Sequence, residues 1–169
     1  MTAISTGGFT ITDGNMAAYD HLVRLAVIPV MVAGGISFSV HDQLISKRKL
    51  SALWQNRQHI FFLLLLIAGA VGMAIANYDA AGQFQWINSA FQWVSALTTC
   101  GFNSRPLQFW SDRQKLLLSL AMLLGGAAGS TVGGLKLNRI LALIEAVSWR
   151  LRRITLSSRQ KIGMSFNFR

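Results

Sequence analysis

Acidic residues, and charged residues in general, are scarce in this sequence. Asp and Glu number 6 among 169 residues, and all charged residues make up 13%, against about a quarter in soluble domains. With 52% hydrophobic residues and a mean hydropathy of +0.42, the composition favours a membrane protein over an apolar soluble helical domain. The first ten residues hold neither a basic segment nor an apolar core, so we expect no cleaved signal peptide there.

Reactive and metal-binding side chains are few as well. The one cysteine, Cys100, rules out an intrachain disulfide, and no Cys/His spacing typical of a metal site occurs. His21, His41 and His59 lie at the ends of apolar segments without a partner at ligand or triad spacing, and we expect them to act as anchors at a membrane surface. Since no carboxylate pair or nucleophile–base set occurs either, the sequence predicts that the protein is not an enzyme.

Positive charge is the exception, because the formal net charge is +10. Such an excess can indicate nucleic-acid binding, but here the basic residues gather at the ends of apolar segments, as on the cytoplasmic side of membrane proteins. Twelve of the 16 Lys and Arg residues fall in 41–59 or from Lys136 onward. We therefore expect a multi-pass protein of the cell (plasma) membrane with lipid as its partner and no nucleic acid. Its loop 41–59 and its basic tail 156–169 should be cytoplasmic.

Three apolar segments approach the length needed to cross a membrane. About 20 helical residues cover the hydrocarbon core, and the candidates are 22–40, 60–76 and 116–135. A fourth apolar segment, 87–98, is too short to span. It lies between two predicted outer loops, one at 77–79 and one at 103–115, which indicates a re-entrant half-helix. The sequence thus predicts an all-α integral membrane fold of helix–pore loop–helix repeats, with about three spanning helices and one re-entrant pore helix.

A short motif occurs twice in the chain. Residues 3–10 and 96–103 share Ala, Thr, Gly and Phe at four aligned positions, 93 residues apart, with two further conservative pairs. An apolar segment with a glycine pair follows each copy, at Gly34-Gly35 and at Gly125-Gly126. Two motifs that recur at nearly the same spacing indicate a duplicated unit of about ninety residues. A half-helix precedes only the second copy, so we expect further sequence upstream of the first.

Threonine and glycine at the turn of a re-entrant loop suit cation transfer. A cation such as potassium crosses only when oxygen atoms replace its hydration water, and rings of backbone carbonyls can do this. Glycine supplies the unusual φ/ψ values, and the half-helix points its negative end at the ion. One copy alone would indicate only a turn between helices, but two copies favour a filter. The expected coordinating residues are Thr6, Gly7, Gly8, Thr99, Cys100 and Gly101, with K⁺ at Thr6, Gly7, Thr99 and Cys100, and with Phe9 and Phe102 packed behind the loops as supports.

A glycine-rich string, 125–134, interrupts the third apolar segment. Five glycines in ten residues, each costing about 1 kcal/mol in a helix, predict a break at membrane depth, where it must face protein or a water-filled cavity. A phosphate loop is excluded because no Gly-Lys-Ser/Thr sequence occurs. Lys136 suits either an interface anchor or a gating, ion-repelling role. Glu145 has no base three or four residues away and stays unassigned.

The two motif copies and the glycine-rich string resemble the Trk/Ktr/HKT superfamily of potassium transporters, whose members have four helix–pore loop–helix repeats around one ion path. The resemblance implies that residues 1–40 are the filter loop and inner helix of a second repeat, and that 60–155 are a complete third repeat. The chain would then need the missing repeats or other copies of itself. The resemblance also implies a gate at the intramembrane break, formed by Gly125, Gly126, Gly129, Ser130, Thr131, Gly133, Gly134 and Lys136.

The same resemblance implies a function. It makes the chain a pore-forming subunit, or a piece of one, that lets potassium, the transported ion, move into the cell. A cytoplasmic nucleotide-binding regulatory subunit would be a partner. Sodium stays open as the alternative ion, because part of that choice lies in the first repeat's filter, and any coupling ion stays open too. The alternative function is a non-conducting membrane assembly or regulatory partner derived from a cation transporter.

Overall fold

The computed structural model describes residues 1–46, 48, 51, 54, 56–81 and 86–155, which contain α-helices and no strand. The helices are α1 (His21–Gly35), α2 (Phe38–Ser46), α3 (Arg57–Ala81), α4 (Trp86–Leu97), α5 (Asp112–Leu124) and α6 (Leu137–Thr155). Short 3-10 helices lie at Asn15–Ala18 and Leu107–Phe109. The predicted basic tail 156–169 and part of the predicted loop 41–59 lie outside the described residues.

Helix α4 lies at the centre of the fold and coincides with the predicted half-helix. It packs against α1, α3 and α5, and every residue from Phe91 to Thr98 is buried. On α3, Gly69 makes room for the ring of Trp93, since a Cβ there would lie 1.7 Å from the ring. The Trp93 indole also donates to the Leu65 carbonyl at 3.0 Å. Twelve residues rise about 18 Å, so α4 is too short to cross a hydrocarbon core.

Helix α3 is longer than the predicted segment 60–76. Its stretch Arg57–Asn77, with a mean hydropathy of 2.4, has the length and composition of a membrane span. The predicted loop at 77–79 is wrong, because the helix continues to Ala81. Asn77 is buried and donates to Ser89 on α4 at 3.2 Å. It also accepts from Gln114 and from Arg105, each at 3.3 Å.

Arg105 belongs to the chain between α4 and α5. Its guanidinium lies 4.1 Å from the centre of the Trp110 ring, and burial lowers its pKa. Gln114, the other donor to Asn77, also closes a capping box with Ser111 at the start of α5. This polar cluster therefore ties the C-terminal part of α3 to the N-terminal parts of α4 and α5.

The prediction of one continuous helix over 22–40 is wrong. Helix α1 ends at Gly35, and α2 starts at Phe38 with its axis bent by 104°. The backbone groups freed at the bend find partners elsewhere: Ser37 N–H donates to His59 Nε2 at 3.3 Å, and Phe38 N–H to the Gly129 carbonyl at 2.8 Å. His59 is 1% exposed, so it supports this bend and does not anchor a surface.

The predicted break in the third apolar segment is present. Helix α5 ends at Leu124, and α6 starts at Leu137. The residues between them, 125–136, are called the glycine-rich loop below. Glu145 on α6, unassigned from the sequence, pairs with Arg57 at 2.6 Å, which links α6 to the start of α3.

Candidate functional site

The two copies of the repeated motif have similar φ values at their aligned threonines and glycines. They are called filter loops below: loop A is residues 5–9, and loop B is residues 98–102. Thr6 and Thr99 have φ values of 53° and 49°, and Gly8 and Gly101 have φ values of 66° and 83°. A threonine in this left-handed region is uncommon. Two aligned threonines there indicate that the motif specifies one particular loop shape.

Four hydrogen bonds recur in the two loops at the same 93-residue offset. Three join backbone groups within each copy or to the two residues before it, and one joins a side-chain hydroxyl to a carbonyl. In the first copy, the N–H groups of Ser5, Thr6 and Gly7 donate to the carbonyls of Met1 (3.3 Å), Ala3 (3.4 Å) and Thr2 (2.9 Å). In the second copy, the aligned N–H groups of Thr98, Thr99 and Cys100 donate to the carbonyls of Val94, Ala96 and Ser95 (all 2.9 Å). The hydroxyl pairs are Thr2 Oγ1 to Phe9 O (2.9 Å) and Ser95 Oγ to Phe102 O (2.7 Å).

The two filter loops meet backbone to backbone. A Cβ on Gly8 would lie only 2.0 Å from the Cys100 carbonyl oxygen, so this contact requires a glycine. Gly7 and Gly101 are exposed, whereas Cys100 is 2% exposed. Within the described part of the chain, the backbone carbonyls of Thr6, Gly7, Thr99 and Cys100 accept no hydrogen bond. These four oxygens thus have no hydrogen-bond partner among the described residues, and that of Cys100 packs against Gly8.

The two phenylalanines of the motif differ in their surroundings. Phe102 is 3% exposed and stacks against Phe91 of α4, with ring centroids 6.5 Å apart. Phe9 is 79% exposed, so the expectation that it packs behind its loop is wrong for this chain. Phe102 is covered because it packs on α4, the helix that directly precedes loop B.

The glycine-rich loop folds back on itself between α5 and α6. Leu135 N–H donates to the Leu123 carbonyl at 2.9 Å, and Leu137 N–H to the Gly126 carbonyl at 3.1 Å. Gly125 and Gly134 have φ values of 68° and 70°, which residues other than glycine rarely adopt. These bonds bring the ends of α5 and α6 together.

Lys136 points into this loop. Its ammonium contacts the Val132 carbonyl and lies 3.4 Å from the Ser130 carbonyl. Both oxygens belong to the loop, so the side chain is folded back over it. An extended surface anchor would point the other way. The positive charge therefore lies against the backbone of the predicted gate.

The glycine-rich loop is bonded to both filter loops through aligned threonines. Thr6 Oγ1 donates to the Thr131 carbonyl at 3.0 Å, and Gly133 N–H donates to Thr99 Oγ1 at 2.8 Å. Thr131 Oγ1 lies 2.9 Å from the Ile4 carbonyl and 3.0 Å from the Gly34 carbonyl. The predicted gate and the predicted filter are therefore in direct contact.

Sequence reasoning missed the residues that hold the filter loops in place. Thr2 and Ser95 lie one position before the aligned motif, and extending the alignment by one residue would have paired their hydroxyls. Gln92 was also missed: its amide donates to Asn103 at 3.1 Å and accepts from Ser104 N–H at 3.0 Å. No local pattern identifies that contact, because a buried glutamine on an apolar helix has many possible partners.

Comparison with known proteins identifies the family of this chain. A family model described as "TrkH: Cation transport protein" matches residues 1–165. The Trk system potassium uptake protein TrkH of Escherichia coli is 32% identical over 158 residues, which are 89% of this chain and 32% of that protein. An uncharacterized cation transporter of Methanocaldococcus jannaschii is 30% identical over 155 residues, 91% of this chain and 31% of that protein. The chain thus spans about a third of the length of these curated relatives.

A solved structure gives the same picture for the fold. The crystal structure of the potassium transporter TrkH from Vibrio parahaemolyticus superposes with a TM-score of 0.89 at 22% identity, covering 98% of this chain and 37% of that one. This match confirms the predicted all-α membrane-protein fold, and the relatives are transporters and not enzymes. The family match over nearly the whole chain and the fold agree: this chain belongs to the TrkH family of cation transport proteins.

Proposed function

We propose that this chain supplies two filter loops and a gate to a potassium pathway across the cell membrane. The observation that carries the proposal is the contact of two loops with one conformation, at Gly8 and Cys100. Two related loops that meet in this way can face a common axis. The relatives named as potassium uptake proteins support potassium as the ion.

The proposed ligands are the backbone carbonyls of Thr6, Gly7, Thr99 and Cys100. In each loop a residue of negative φ stands between two of positive φ, and such an alternation would turn successive carbonyls toward the same side. Their oxygens would replace the water around a potassium ion. Helix α4 ends at Leu97, directly before loop B, so the negative end of its dipole would favour a cation there.

The proposed gate is the glycine-rich loop with Lys136. Because this loop is bonded to Thr6 and Thr99, it would lie directly on one side of the filter. The ammonium of Lys136 would oppose a cation at that level. Conduction would then require the loop to move away, which its glycines permit.

The remaining parts of the pathway would come from elsewhere. Residues 1–40 would form half of one repeat and 60–155 a complete one, so other segments or other copies would supply the remaining oxygen ligands. The basic cytoplasmic face predicted from the sequence would suit a nucleotide-binding regulatory subunit.

The test is rubidium uptake by a hybrid transporter. In the hybrid, residues 1–155 replace the aligned segment of the Escherichia coli relative, and the hybrid is produced in cells that lack their own potassium uptake. We expect uptake by the hybrid and its loss on Gly101→Asp, since a carboxylate at this exposed position would hold or block the ion. Amounts in the membrane are compared by immunoblot, and folding by gel filtration in detergent.

The outcomes separate transport from a non-conducting role. A hybrid that inserts and elutes as one species but takes up no rubidium would refute the proposal. Uptake that survives Gly101→Asp would favour an assembly or regulatory partner. The full chain alone, purified into liposomes, should give no selective rubidium flux, because two filter loops do not surround an ion.

A further inference from the structure

We propose that Thr2 and Ser95 are the positioning residues of the two filter loops, and that their hydroxyls set cation selectivity. Neither residue belongs to the filter motif, and neither offers a proposed ligand. This inference rests on the proposed transport function, whereas the hydroxyl bonds themselves do not depend on it.

Ser95 holds loop B at two points. Its carbonyl accepts from Cys100 N–H at 2.9 Å, and its hydroxyl donates to the Phe102 carbonyl at 2.7 Å. Only Gly101, at φ 83°, lies between the two anchored residues. Ser95 itself is 1% exposed on the central helix α4. One buried residue therefore fixes both ends of the three-residue segment that carries the Cys100 carbonyl.

Thr2 holds loop A in the same way. Its carbonyl accepts from Gly7 N–H at 2.9 Å, and its hydroxyl donates to the Phe9 carbonyl at 2.9 Å. Phe9 is 79% exposed and Phe102 is 3% exposed, so the environments of the two loops differ. The hydroxyl bond persists in both environments, which indicates that it belongs to the loop's own construction and not to the packing around it.

Loss of the hydroxyl would free the loop at a sensitive place. The carbonyl held by the hydroxyl belongs to Phe9 or Phe102, the residue directly after Gly8 or Gly101. Glycine is the residue with the largest choice of alternative backbone conformations. Without the bond, the peptide planes around that glycine could rotate. The preceding carbonyls would then lose their common direction. A filter that distinguishes ions through carbonyl oxygens should lose selectivity before it loses conduction.

Other hydroxyls nearby allow a matched comparison. Ser89 is also buried on α4, but its hydroxyl accepts from Asn77 at 3.2 Å and makes no bond to a filter loop. Ser95→Ala and Ser89→Ala therefore remove the same atom from the same helix. At the other loop, Thr2→Val removes the hydroxyl at nearly constant shape, and Thr2→Ser keeps it.

The first experiment uses Cys100, the chain's one cysteine, as a reporter. The full chain is purified in detergent, and the rate at which a maleimide labels the thiol is measured. Ser95→Ala should raise this rate about fivefold, the effect of losing one hydrogen bond of about 1 kcal/mol. Ser89→Ala should leave it unchanged. An unchanged rate in Ser95→Ala, or an equal rise in both variants, would overturn the inference.

The second experiment measures selectivity in the hybrid transporter. The ratio of rubidium to sodium uptake should fall about fivefold in Ser95→Ala and in Thr2→Val, and it should be retained in Thr2→Ser and Ser89→Ala. A ratio that is unchanged in Ser95→Ala and Thr2→Val would overturn the selectivity role even if labelling rises. The proposed function fails separately, when Gly101→Asp leaves uptake intact.

Discussion

Gly8→Ala should be among the most damaging one-carbon changes in the filter. The added Cβ would lie 2.0 Å from the Cys100 carbonyl oxygen, and a backbone oxygen has no rotamer by which to move away. Alanine at φ 66° also costs about 1–2 kcal/mol. Overpacking of this kind typically costs about 1–3 kcal/mol more. We therefore expect the free energy of unfolding to fall by about 2–5 kcal/mol. The hybrid should also lose selectivity for rubidium over sodium, because loops A and B would separate.

Two other glycines provide the controls. Gly101 is aligned with Gly8 and has φ 83°, but a Cβ there would meet no atom within 4 Å, so Gly101→Ala should cost only the strain of about 1–2 kcal/mol. Gly72, in helix α3, also has open space, and Gly72→Ala should stabilise the helix by up to about 1 kcal/mol. Denaturant unfolding of the full chain in detergent, followed by tryptophan fluorescence, gives the ranking. Equal losses at Gly8 and Gly101 would refute the contact between the loops.

Three further predictions concern the gate, the helix packing and an ion pair. Thr131→Val removes a hydroxyl that lies against the Ile4 and Gly34 carbonyls. Because the proposed gate is then held less firmly, rubidium uptake by the hybrid should rise on the order of tenfold. An unchanged uptake rate at equal expression would contradict the proposed gate. Gly69→Ala would place a Cβ 1.7 Å from the Trp93 ring and should lower stability by about 1–3 kcal/mol, measured by unfolding. Glu145→Gln breaks the ion pair with Arg57. Since the Glu145 side chain is 43% exposed and that of Arg57 is 71% exposed, the free energy of unfolding should change by less than about 1 kcal/mol. A larger loss would show that the pair is shielded from water.

The parts of the site predicted from the sequence are those that local sequence determines. The 12-residue length of α4 follows from an apolar segment between polar ones, and the break after Leu124 follows from the glycine count. The equivalence of the two filter loops follows from aligned residues, because similar short sequences adopt similar turns. Thr6 and Thr99 indeed have φ values within a few degrees of each other.

The parts that could not be predicted depend on partners far away in sequence. The Gly34-Gly35 pair marks a place where a helix can end, but the sharp bend after it depends on distant partners, because Ser37 N–H donates to His59 and Phe38 N–H donates to the Gly129 carbonyl. Glu145 similarly finds its base 88 residues away. Such contacts depend on which elements become neighbours, and the hydrophobic pattern of one segment contains no information about that.

Thr6 and Thr99 have backbone strain, because their φ values are 53° and 49°. Glycine at either position would avoid this strain. A non-glycine residue in this region costs about 1–2 kcal/mol, and one hydrogen bond returns about 1 kcal/mol. In return for the strain, each threonine hydroxyl makes a hydrogen bond with the glycine-rich loop. The Thr6 hydroxyl donates to the Thr131 carbonyl, and the Thr99 hydroxyl accepts from Gly133 N–H. The near balance means that the threonines add little net stability. What they add is a connection: movement of the glycine-rich loop, the proposed gate, would break a hydrogen bond to each filter loop, so the three loops cannot change independently.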